Sequence, residues 1–172
     1  MITRHGQSLI GKTGAVFSDC MTYRYKLWRV WDDTKPSVMF LMLNPSTADE
    51  SENDPTVERC ERRARQMGFG ALAVCNLFAF RATDPKDMKA ATDPVGTEND
   101  AVIIEEAKRA DLIVCAWGTH GSHSGRSRQV RAMLNDAGID VHCLRIGKTG
   151  EPGHPLYIAY SAQPFPMPTV HV

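Results

Sequence analysis

Three side chains able to do chemistry without a metal stand at or just past the ends of apolar runs. Asn44 follows Val38–Leu43, Asn76 lies near the end of Leu72–Leu77, and His154 sits in the polar stretch behind Ile139–Ile146. A carboxamide holds a water through its oxygen but takes no proton from it, so Asn44 can aim a nucleophile without activating it. The nearest group that could take that proton is Asp49. Plainer uses compete: Asn44 as a strand-ending turn residue, Asp49 as a solvated loop acid or cap. Asn76 carries a donor and an acceptor on one plane, which suits reading the edge of a base and equally suits capping the next turn. His154 is fixed between Gly153 and Pro155; when neutral it donates a hydrogen bond to an anion and keeps its own proton. Its alternative is a loop histidine before a structural proline.

A second group of residues suggests an anion site. The loop Thr119 to Gly125, which contains His120, Ser122, His123 and Ser124, opens onto a helix bearing Arg126, Arg128 and Arg131. Backbone amides at a helix start, with Ser122, Ser124, Arg126 and Arg128, would hold a phosphate. Taken alone, a mobile Gly-Ser loop beside a solvated basic face explains them more simply. His120 and His123 have no carboxylate or Cys beside them, so no metal and no cofactor are expected. Arg59, Arg62, Arg63 and Arg65 spread charge around one helix, chiefly as solvated surface, with phosphate contact the minority reading. Phe78, Phe80 and Arg81 follow Asn76 and either stack on a base or belong to the core.

The elements that must position these residues are legible in the apolar pattern. Val38–Leu43 has no charge and reads as a strand buried on both faces, cut off by Asn44-Pro45 because proline lacks a backbone donor and pushes its predecessor out of helical geometry. The polar run Ser46 to Pro55 then lies where open α/β sheets place ligands, past the carboxyl end of a central strand. Further strands are expected at Leu72–Leu77, Leu112–Trp117 and Ile139–Ile146. Helices are expected from Asp54-Pro55-Thr56 to Met67, over Thr97–Arg109 and over Arg126–Ala137, with a short piece at Lys86–Ala91. This alternation predicts a three-layer α/β/α domain around a mostly parallel four-stranded sheet of order 2-1-3-4. Right-handed crossovers would put the strand-end loops on one rim. Thr22–Trp31, alternating bulky and cationic residues, reads as an added N-terminal edge strand with one wet face.

The 172 residues, 42% of them hydrophobic, are enough for one domain that buries about 70% of its unfolded surface. It is expected over residues 22–160, after an N-terminal arm at 1–21 and before a Pro-rich tail at 161–172. Formal charge is zero, so no global field draws the chain to nucleic acid or to a membrane surface, and a polyanion must meet a local patch. The five cysteines form no C-x-x-C pair and three lie in apolar runs, which favours reduced core thiols and a cytoplasmic location. No continuous apolar run marks a membrane span or a leader.

Several motifs in order carry a resemblance: Leu43-Asn44-Pro45-Ser46-Thr47-Ala48-Asp49, Asp54-Pro55-Thr56, Asn76-Leu77-Phe78, Asp84-Pro85, Ala116-Trp117-Gly118 and Gly153-His154-Pro155-Leu156-Tyr157. Over roughly residues 20–160 they resemble a bacterial and phage family known as domain of unknown function 1643, which implies no activity. More remotely, the order of elements resembles the uracil-DNA glycosylase superfamily. That resemblance implies a water-positioning role for Asn44, a base-reading role for Asn76 and a leaving-base contact for His154. The aromatic that stacks on the base has no clear counterpart, and Leu156-Tyr157 replaces a serine-rich continuation. Catalysis is then expected from Asn44, His154 and Asp49. Substrate contacts are expected from Pro45, Ser46, Thr47, Asn76, Phe78, Arg81, Trp117, Gly118, Leu156 and Tyr157. The expected activity is excision of a base, modified or not, from DNA. The alternatives are a non-catalytic binder of nucleotide or nucleic acid, and a hydrolase of free nucleosides or nucleotides. The number of subunits is left open.

Overall fold

The computed structural model describes residues 1–6, 8–9 and 11–168. The strand β4 (Ser37–Met42) is its axis, and all its residues after Ser37 are buried. Alternate side chains feed two cores, Met39 and Leu41 on one face of the sheet, Val38, Phe40 and Met42 on the other. A strand covered on both sides has no position for a polar residue, which is why this run is apolar throughout.

Helices supply the two covers. On the Phe40 face, α1 (Pro55–Gln66) buries Val57, Cys60 and Ala64, spaced three and four apart along one stripe. The Asp54 side chain caps it, accepting from Val57 N at 2.9 Å, with Pro55 in the first turn. On the Met39 face lie α2 (Pro85–Ala90), α3 (Asn99–Arg109) and α4 (Arg126–Asp136), which contribute Met88, Val102, Ile103, Ala107, Val130 and Leu134.

The sheet itself corrects the expectation of four mostly parallel strands. Eight strands are found among the described residues: β1 (Ile2–Gly6), β2 (Lys12–Phe17), β3 (Arg24–Val30), β4, β5 (Ala71–Asn76), β6 (Leu112–Cys115), β7 (His142–Cys143) and β8 (Phe165–Pro166). Their order is β1-β2-β3-β5-β4-β6-β7-β8. Pairing is parallel along β5-β4-β6-β7, where helical crossovers join the strands, and antiparallel for β1/β2, β2/β3, β3/β5 and β7/β8. Antiparallel pairs thus predominate.

Three local differences explain the wider sheet. Residues 1–21, read as an arm, contain β1 and β2, and Ala15 and Phe17 are fully buried. The stretch read as an edge strand is interior, because β3 lies between β2 and β5. Its expected wet face is not wet: Arg24 and Arg29 are 1% and 4% exposed and spend their donors on carbonyl and carboxamide oxygens. At the far edge the fourth expected strand contracts to two residues. The tail supplies β8, whose Phe165 pairs with Cys143, and residues 169–172 of that tail lie outside the described residues. The five cysteines are free, and among the described residues no helix is long and apolar enough to cross a membrane.

Candidate functional site

The loops that leave the carboxyl ends of β4, β5, β6 and β7 wall a cavity of about 720 Å³, within the range of about 300–1,000 Å³ usual for small-molecule sites. Asn44, Pro45, Ser46 and Thr47 line it from the first loop and Asn76 from the end of β5. Trp117 and Gly118 enter from behind β6, and His154, Leu156 and Tyr157 from the last loop.

Hydrogen bonds within the protein fix which atom each of the three central side chains can offer. Asn44 Nδ2 donates to Ala82 O at 2.7 Å and to Pro45 O at 3.2 Å, so both amide hydrogens are committed and Oδ1 remains as an acceptor. Asn76 is turned the other way: Oδ1 accepts from Arg24 Nη2 at 3.3 Å, leaving the Nδ2 hydrogens as donors. His154 Nδ1 accepts from Leu156 N at 3.3 Å and caps the short turn Pro155–Tyr157, so a neutral ring carries its proton on Nε2. Burial pulls its pKa below the ordinary imidazole value, with the Asp54 charge acting in the opposite direction. The site therefore offers one neutral acceptor and two neutral donors.

Charged groups that sequence reasoning did not assign to the site also line it. Arg24 is buried, donates to Ala48 O at 3.0 Å and to Asn76, and has no carboxylate in salt-bridge contact among the described residues. Burial lowers its pKa to about 10, opposed chiefly by Asp54. Asp54 is itself 8% exposed, and its second oxygen accepts from Ala48 N at 3.2 Å. Glu151 accepts from Trp117 Nε1 and Ser127 Oγ, which pins the indole against the cavity. The signal for Asp54 was present in Asp54-Pro55-Thr56, read as a helix start; nothing in the alternation around Arg24 marked it as buried.

Other expected residues lie elsewhere. Asp49 does not line the cavity: Oδ1 accepts from Ser51 N and Glu52 N, both at 2.8 Å, closing a turn. Burial tends to raise its pKa, but these amides, Arg29 and Arg81 outweigh it and the net shift is downward. Phe78 is a core side chain, 1% exposed. Arg81 donates to Met21 O at 3.3 Å and stacks on Phe17 at 4.9 Å. The expected phosphate group is dispersed as well. Arg126 is buried and bonded to Leu77 O, Gln129 and Asp100, while Ser122, Ser124 and Arg128 are exposed outside the lining. Among the described residues no group of three His, Cys, Asp or Glu is placed to hold a metal.

Two local devices set the walls. Gly118 has φ +75° and ψ −173°, a conformation essentially reserved for glycine, and turns the chain from β6 into the loop. On the opposite side, α1 arginines read as solvated surface hold the last loop instead. Arg59 donates to Pro155 O at 3.0 Å and Ile158 O at 2.6 Å, and Arg63 to Ile158 O at 2.8 Å, Ala159 O at 3.2 Å and Ala162 O at 3.3 Å.

No curated protein and no solved structure matches the chain. Residues 24–156, from the buried Arg24 through Asn44 and Asn76 to the turn behind His154, match the model of a family described as protein of unknown function (DUF1643), and the chain belongs to that family.

Proposed function

We propose that the cavity receives a nucleobase turned out of DNA and that the protein is a cytoplasmic hydrolase of N-glycosidic bonds, acting on a base, modified or not, in phage or host DNA. The observation that carries this reading is the meeting of Asn44, Asn76 and His154, from three separate loops, on one cavity with their hydrogen-bonding senses already set. The remote resemblance to the uracil-DNA glycosylase superfamily supports the same assignment.

In this reading Asn76 Nδ2 donates to an acceptor on the base edge. Asn44 Oδ1 accepts from a water and aims it at the anomeric carbon. As the carbon–nitrogen bond breaks, its electron pair stays with the base, and His154 Nε2–H donates to the base carbonyl oxygen on which that charge develops. The water oxygen bonds to the anomeric carbon and releases a proton. Asp54, which lines the cavity where the turn-forming Asp49 does not, takes it: each of its oxygens accepts one backbone N–H and keeps a second lone pair.

One observation favours a non-catalytic binder of nucleotide or nucleic acid: both lining carboxylates already accept hydrogen bonds within the protein. Zero formal charge favours a third reading, a hydrolase of free nucleosides or nucleotides. Duplex and single-stranded DNA carrying a panel of modified bases separates the three. The hydrolase leaves alkali-labile abasic sites, and His154→Ala or Asn44→Ala lowers the rate by about 10²–10³ while circular dichroism shows an intact fold. Retained DNA binding with no abasic sites on any base supports the binder. Release of free base from monomers alone supports the nucleoside enzyme.

A further inference from the structure

Arg145 lines the cavity and is exposed, and its side chain makes no hydrogen bond or ion pair among the described residues. The two carboxylates that share the lining are spoken for, Glu151 by Trp117 and Ser127, Asp54 by the amides of Val57 and Ala48. The guanidinium therefore stands without a counter-charge beside the loop that carries His154. Gly153 admits it there: Gly153 N donates to Arg145 O at 2.8 Å, and a Cβ on Gly153 would lie 3.2 Å from Arg145 Nε, closer than side chains normally pack.

The same hairpin is tied to the opposite wall. Ile146 bridges Pro152, and Pro152 O accepts from Gly118 N at 2.9 Å, where the chain begins the segment that carries Thr119 and His120 into the lining. Lys89 Nζ and His120 Nδ1 are 2.8 Å apart. An ammonium has only hydrogens to give, so the imidazole receives one and keeps its own proton on Nε2. Lys89, like Arg145, has no carboxylate partner among the described residues. One uncompensated cation thus lines, and a second adjoins through His120, a cavity whose more buried donors suit a base.

We propose that Arg145, with the Lys89–His120 pair, forms a phosphate subsite at the mouth of the cavity, holding the phosphate of a nucleotide whose base lies against Asn76 and His154. It takes the place of the site expected at Ser122, Ser124, Arg126 and Arg128. The inference rests on reading the cavity as a base pocket, and is independent of whether a glycosidic bond is broken. A planar guanidinium matches two phosphate oxygens at once, and an imidazole N–H beside an ammonium supplies a third contact. The shared chemistry is a phosphate ester next to a base, either a link in a DNA strand or the terminal group of a free nucleotide.

Calorimetric titration of the full chain with inorganic phosphate, and with nucleoside and nucleoside 5′-monophosphate pairs of the four DNA bases, tests this. Wild type binds the monophosphates more tightly than the nucleosides. Arg145→Ala weakens inorganic phosphate and the monophosphates by about tenfold or more and leaves the nucleosides unchanged. Lys89→Ala acts in the same direction, and Arg145→Lys keeps part of the affinity because it retains the charge and loses the fork. Equal phosphate affinity in wild type and Arg145→Ala, or none in wild type, overturns the subsite. A trinucleotide bound more tightly than a mononucleotide, with the difference lost in Arg145→Ala, assigns the phosphate to a strand; the reverse order, equally lost, assigns it to a free nucleotide. Both support the subsite. Phosphate binding that depends on Arg145 without abasic sites on any DNA removes the hydrolytic reading alone.

Discussion

At the scale of single residues the site works by commitment. Each amide in the cavity has one end held by the protein, so the ligand meets Asn44 as an acceptor and Asn76 as a donor. A free carboxamide could turn over and accept either partner; these two select. His154 is committed too, and its protonation follows from its burial. Because burial lowers its pKa, the folded state binds this proton less readily than the unfolded chain does. The associated stability is full above the unfolded value, about 6.5, and is lost as pH falls through the folded value. Protonation also removes the Nδ1 lone pair that accepts from Leu156 N, opening the turn. The rate of base release is therefore expected to be flat near pH 7 and to fall on acidification only below the ordinary imidazole value. A rate profile over about pH 4 to 8, with His154→Gln as reference, checks this. An acid limb centred above that value would contradict the role given to His154.

Among elements, α1 performs an unexpected task. Its apolar stripe covers the Phe40 face of the sheet, and two arginines one turn apart grip the segment after His154 through five carbonyl contacts. Tyr160 closes over them, 4.1 Å from the Arg59 guanidinium. Beyond Ile158 and Ala162 the loop adds little to the apolar core, so these bonds largely hold its path. Arg63→Met keeps the stem and removes three of the contacts. It is expected to cost about 2–4 kcal/mol, since carbonyls bonded to a charged donor lose more than a neutral bond is worth. Urea unfolding gives the cost, and hydrogen exchange should show protection lost at residues 158–162 before it is lost in β4. If protection there is unchanged, the arginine is only filling space. None of this was readable in Arg59-Cys60-Glu61-Arg62-Arg63, because acceptors nearly a hundred residues away decide whether a helix arginine is solvent or clamp.

For the whole molecule, what was legible in the sequence is what local patterning determines. Val38–Leu43 announced its burial on both faces by lacking any polar residue, and the Asp54-Pro55 start marked α1 through capping chemistry that acts within three residues, whereas α2 was read only as a short piece from Lys86 and its cap, Asp84, is seen in the structure alone. Asn44, Asn76 and His154 stood out because each ends or follows such a run. What stayed hidden depends on partners distant in the chain: the buried state of Arg24, the inward position of Asp54, and the first two strands, whose Gly-containing residues read as loose until β1 pairs with β2 and β2 with β3. That pairing has a consequence for the whole fold. Without β2, β3 would be a sheet edge with its backbone donors and acceptors exposed, and the fold would lose the burial of Phe17 and Ala15, both fully buried. Removing the phenylalanine contact alone costs about 3–5 kcal/mol in a packed core, a large share of the about 5–15 kcal/mol typical of a domain. A chain beginning at residue 22 is therefore expected to melt at markedly lower temperature and to self-associate through the bared strand. Differential scanning calorimetry and sedimentation over a range of concentrations test both. If the shortened chain stays monomeric and melts with the full one, β1 and β2 are an appendage, and the cavity is held by the remaining strands alone.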